Sequence, residues 1–173
     1  MRLGTTLEAL LSLPPYLKKD GFVTAGNASG ICDGAAATAI ACGDFVGGHK
    51  LAPIGRSLAW GTVGAESSCM GIGPAPAAVK ALHKADLALE EMELMESTPR
   101  SHLSIALLKG NSARSADKPC PHGVIAIGHP LAASGTRITT YVFHALQIAR
   151  KGFDLTAARI GGGQGTAVIV EEF

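Results

Sequence analysis

The sequence predicts an α/β fold built on a mixed sheet. Three observations carry that expectation. Stretches of strand character alternate with stretches of helical periodicity, the pattern of an α/β domain. The last two strand stretches, Thr156–Ile160 and Thr166–Val170, are separated only by a short glycine turn, so they should run antiparallel. The composition, 47% hydrophobic and 17% charged over 173 residues, fits one packed domain and is too short for two full-sized ones.

The elements follow in chain order. Thr6–Lys19 is a weak helical stretch broken by Pro14 and Pro15, and Val23–Ala25 is short and extended. Ala35–Cys42 is a charge-free run of small apolar residues, which fits either a buried strand or a tightly packed helix. Leu51–Trp60 reads as a strand with Pro53 near its beginning. Gly71–Pro76 forms a rigid loop, with Pro76 where the first turn of a helix tolerates proline. Val79, Leu82, Ala85 and Leu89 then recur at helical spacing, and Met92–Met95 alternates like a short strand. Ser97–Lys118 has poor periodicity, with Leu103–Lys109 its helical candidate. Gly123–Ile127 is a strong buried strand that ends at Gly128-His129-Pro130. Ser134 is placed to cap a helix whose apolar stripe is Ile138, Val142, Ala145, Leu146 and Ala149. Lys151 and Gly152 suit its end, a cation near the last carbonyls and then a glycine.

Several function classes are disfavoured. Fifteen basic residues stand against 14 acidic ones, a net charge of +1, so nucleic acid is not an expected partner. No apolar run reaches membrane-spanning length. The first apolar run contains Glu8 and stops at Pro14, which is unlike a secretory or targeting leader. None of Cys32, Cys42, Cys69 and Cys120 forms a CxxC pair, and reduced thiols in an intracellular protein are expected.

Four local patterns bear on chemistry. His129 follows a predicted buried strand and precedes a helix, where loops in α/β sheets collect functional groups. There it serves either as a proton acceptor and oxyanion donor or as a satisfied structural histidine. Ile160-Gly161-Gly162-Gly163-Gln164-Gly165 lacks the spacing of a dinucleotide loop and precedes a strand. It is either a plain hairpin turn or a source of amides for a ligand oxygen. Cys120, His122 and His129 lack a fourth ligand at ordinary spacing, so no metal is expected. Ser29 sits one residue too far from Gly26 for a nucleophile elbow, and a hydrolase triad is not expected.

Four long blocks in register resemble the thiolases, and among them the 3-ketoacyl-CoA thiolases (acetyl-CoA C-acyltransferases). They are Phe22–Ala37, Met70–Leu82, Val124–Arg137 and Ile160–Glu171. The resemblance implies a βαβαβαββ half with a mixed five-stranded sheet and helices on both faces. It implies that residues 1–47 are the end of the family's N-terminal half and residues 48–173 its C-terminal domain. It also implies thiolytic cleavage or Claisen condensation of 3-ketoacyl-CoA, with CoA or acyl-CoA as substrate and no cofactor. Homo-oligomers and a mitochondrial or peroxisomal location belong to the same expectation.

On the matching positions, His129 activates a nucleophilic cysteine and helps hold one oxyanion, the Gly161 amide serves another, and Ser29 lies near the pantetheine arm. Three departures oppose activity. The nucleophilic cysteine belongs to a stretch of the N-terminal half that these residues do not contain. Arg159 stands where the acid/base cysteine is expected, and a guanidinium stays protonated at any useful pH. The Asn-Glu-Ala-Phe motif is replaced by Glu96-Ser97-Thr98-Pro99-Arg100-Ser101. The alternative reading is a non-catalytic, truncated thiolase-like protein that serves as a CoA-binding or interaction module.

Overall fold

The sheet grows outward from the glycine turn of its C-terminal hairpin. The computed structural model describes residues 4–97, 127–149 and 152–173. Strands β3 (Phe153–Ile160) and β4 (Gln164–Glu172) meet at that turn, with Ile160 paired to Gln164. Gly162 and Gly163 take φ values of +82° and +86°, a left-handed conformation that penalises any side chain. Strand β1 (Gly55–Gly64) lies antiparallel outside β4, and β2 (Leu94–Ser97) lies parallel outside β3. The order is β1-β4-β3-β2, with β4 running against the other three. The sheet is therefore mixed, as expected. Among the described residues it has four strands, and the fifth is not among them.

Period-two alternation sorts the strand residues onto two faces. Leu155, Ala157, Ala167 and Ile169 face one way and pack with Ala77, Ala78, Ala81 and Leu82 of helix α3 (Pro74–Ala85). Met92 and Met95 close that core. Pro74 opens α3, where a missing N–H costs nothing, and Asp86 ends it in the left-handed region. Val168 and Val170 face the other way, toward Val142, Phe143 and Leu146 of a long helix, Ser134–Ala149. Each such side chain contributes about 1.5–3 kcal/mol on full burial. Helices thus cover both faces.

Residues before β1 behave differently. Helix α1 (Leu7–Leu11) is capped by Thr6, whose hydroxyl accepts from the Ala9 N–H at 3.2 Å, and α2 (Gly43–Gly48) is equally short. Neither contains a buried residue. The long helix Ser134–Ala149 is called α4 below.

Some expectations need correction. Ala35–Cys42 forms neither strand nor helix and is largely exposed, with Ile40 at 93%. Small apolar residues permit close packing but do not supply the surface to pack against. The first sheet strand starts at Gly55 rather than at Leu51. Of the predicted strand Gly123–Ile127 only Ile127 lies within the described residues, and there it is helical and exposed. Ser134 is the first residue of α4 rather than its cap, because its hydroxyl is committed elsewhere. The helical candidate Leu103–Lys109, Cys120 and His122 lie outside the described residues. Cys32, Cys42 and Cys69 carry free thiols. Among the described residues no helix is long and apolar enough to cross a membrane.

Candidate active site

The loop 128–133 ahead of α4 is built against the segment that contains Ser29. Ile31 and His129 form an isolated parallel bridge, and the His129 N–H donates to the Gly30 carbonyl at 2.9 Å. Gly128 takes φ +92°, and a Cβ there would come within 2.6 Å of Cys32 Sγ. Pro130 fills the space beside Gly34, and Thr38 Oγ1 meets Thr140 Oγ1 at 2.9 Å. These contacts hold an otherwise unpacked arm on the loop. Ser29 is half-buried on that arm, two residues from the bridge.

Hydrogen bonding fixes the imidazole. Ser134 Oγ donates to the Pro130 carbonyl at 3.1 Å, so its one proton is used. The same oxygen lies 2.6 Å from His129 Nδ1. With the hydroxyl proton on the Pro130 carbonyl, the oxygen is an acceptor for an Nδ1–H, the tautomer that leaves the lone pair of the neutral ring on Nε2. Burial lowers the His129 pKa from its ordinary value, and the charges of Arg159 and Arg137 lower it further. Both effects disfavour the imidazolium. The neutral ring is thus the favoured form.

Arg159 lies near the end of β3, opposite Gly165. Arg137 lies in the first turn of α4 and lines a cavity of about 120 Å³ with Glu96, Ile127, Ile138 and Tyr141. Its Nε and Nη2 are enclosed and find no acceptor among the described residues. Gly161 is exposed at the hairpin turn, with open space where a side chain would be. Gly163 and Gly165 serve packing. A Cβ on Gly163 would lie 2.3 Å from the Ala65 carbonyl oxygen, and one on Gly165 would lie 2.1 Å from the Gly73 backbone. The plain hairpin reading therefore accounts for the last two glycines of the motif, and leaves Gly161 open to a ligand.

The structure brings His129 and the Ser29 segment together, and Arg159 acts on the same imidazole. Sequence reasoning missed Ser134 as the partner of His129 and Arg137 as a second nearby cation. Both lie within eight residues of the histidine, and the hydroxyl at the start of α4 was the available signal. Nothing in the sequence marked Gly30 as the carbonyl that pairs with the His129 amide.

The sequence profile described as thiolase, C-terminal domain, matches residues 51–172, and that described as thiolase, N-terminal domain, matches residues 1–43. The chain is 44% identical over 168 residues to the mitochondrial 3-ketoacyl-CoA thiolase of Homo sapiens, covering 96% of this chain and 42% of that protein. It is 42% identical over 173 residues to a beta-ketoadipyl-CoA thiolase of Acinetobacter baylyi, covering 98% and 43%. The crystal structure of human mitochondrial 3-ketoacyl-CoA thiolase in complex with CoA matches with a TM-score of 0.83 at 39% identity, over 99% of this chain and 44% of that one. The Bacillus anthracis acetyl-CoA acetyltransferase matches at 0.88 with 31% identity, over the same shares. The chain thus spans well under half the length of the relatives it matches. Those matches, carried by both domain profiles and by the fold around His129, place this chain in the thiolase family.

Proposed function

We propose that this chain is the acyl-CoA-facing part of a thiolase-type acyltransferase, and that by itself it performs neither thiolysis nor Claisen condensation. Residues 1–47 stand for the end of the N-terminal half and residues 48–173 for the C-terminal domain. The observation that carries the reading is the contact of His129 Nδ1 with Ser134 Oγ at 2.6 Å, in a loop tied to the Ser29 arm. A neutral ring with Nδ1 tied to Ser134 offers Nε2 to a thiol proton, which is what activation of a nucleophilic cysteine requires. Gly161, with its open surroundings, is the donor for a second oxyanion, and Ser29 lies along the arm that CoA would follow.

Silence follows from what is paired with this base. General acid–base help contributes roughly 10²–10⁴-fold. The cysteine that takes the acyl group in the family belongs to a stretch of the N-terminal half that these residues do not contain, and without it that acyl-enzyme path is lost. Arg159 cannot take the proton that a cysteine would exchange with the substrate carbon, and its charge makes His129 a weaker base. A mitochondrial or peroxisomal location, homo-oligomers and 3-ketoacyl-CoA as substrate belong to the same proposal; the names of the relatives support the mitochondrial location and the substrate.

The purified chain should cleave acetoacetyl-CoA with CoA no faster than buffer does. Arg159→Cys should not restore cleavage. CoA-dependent cleavage that disappears in His129→Ala would overturn the proposal. Heat on titrating CoA into the chain, reduced in Ser29→Trp, would support a CoA-binding surface that has outlived the chemistry.

A further inference from the structure

We draw no further inference here: the strongest candidate, the cavity of about 120 Å³ between α4 and β2 in which the enclosed guanidinium of Arg137 finds no acceptor among the described residues, carries nothing, because Glu96 brings a carboxylate into the same cavity, neither His129 nor Arg159 lines it, and nothing in the structure shows what occupies it.

Discussion

The sheet with its two helices and the arm before it are held by different forces, and the candidate site lies where they meet. In the sheet, Leu155, Ile169, Val142 and Leu146 are fully buried, and contact is continuous across both faces. In the arm, Phe22, Ile31 and Ile40 are each more than 80% exposed, and attachment rests on a few backbone and hydroxyl contacts. His129, the proposed base, sits on the firm side. The segment expected to meet CoA sits on the loose side. Chemistry that needs both is therefore limited by the weaker attachment rather than by the core.

The largest effect that would sharpen this contrast is a core truncation. Leu155→Ala should cost about 2–5 kcal/mol, read as a lower midpoint in urea. Ile40→Ala on the arm should stay within about 0.5 kcal/mol. An equal loss in the two variants would mean that the arm is packed after all.

Two glycine substitutions come next. At Gly165 an added Cβ meets the Gly73 backbone, which cannot step aside, so Gly165→Ala should cost about 1–3 kcal/mol or more. At Gly128 the obstacle is the Cys32 sulfur, the end of a side chain on an exposed arm. Gly128→Ala should cost less overall, mainly through its positive φ, and its first effect should be release of the arm. Protease cleavage between residues 30 and 47 would report that release before any global unfolding. Cleavage that rises only with global unfolding would show that the arm and the core are one unit.

These contrasts also explain what the sequence made legible. The hairpin, the antiparallel pairing and both long helices were readable because local periodicity and the glycine turn determine them. The GHP loop stands out because a histidine after an apolar run and before a helix is a local pattern, one that structural and functional histidines share. Ala35–Cys42 departs from the expected strand or helix because low charge and small size say nothing about whether a partner surface exists. The Gly30–His129 bond joins residues far apart in sequence, through backbone groups that every residue carries. The resemblance to thiolases supplies expectations that local physics cannot: which loop, which glycine and which replaced cysteine to test by substitution.

A smaller effect concerns the firm side of the site alone. His129 has a folded pKa below its ordinary value of 6.5, so the unfolded chain binds its proton more readily. Its contribution to stability is therefore fully present above about pH 6.5 and is lost as pH falls toward the folded value. His129→Gln should remove that part of the acid slope in urea titrations at stepped pH. Because Arg159 is the larger of the two charges acting on the ring, Arg159→Cys should raise the imidazole pKa, read from the ring proton shift in NMR titration. Arg137→Leu should raise it less. A fall in either variant would mean that the guanidinium groups do not face the ring.

The smallest effect tests the loose side. Thr38→Val removes one exposed hydroxyl contact with Thr140, worth about 0.5–1 kcal/mol at most. Global stability should barely move, since the contact is exposed and water replaces it. Exchange of the His129 amide is the more sensitive readout, because that N–H is held by the Gly30 carbonyl on the same arm. If the arm acts as one strap, loosening it at Thr38 should speed exchange at His129 although the two residues do not touch through that bond. If exchange at His129 is unchanged, the Gly30 and Thr38 attachments act separately. The region around Ser29 then remains in place when the rest of the arm lifts, and the loose side of the site is confined to the residues beyond Gly34.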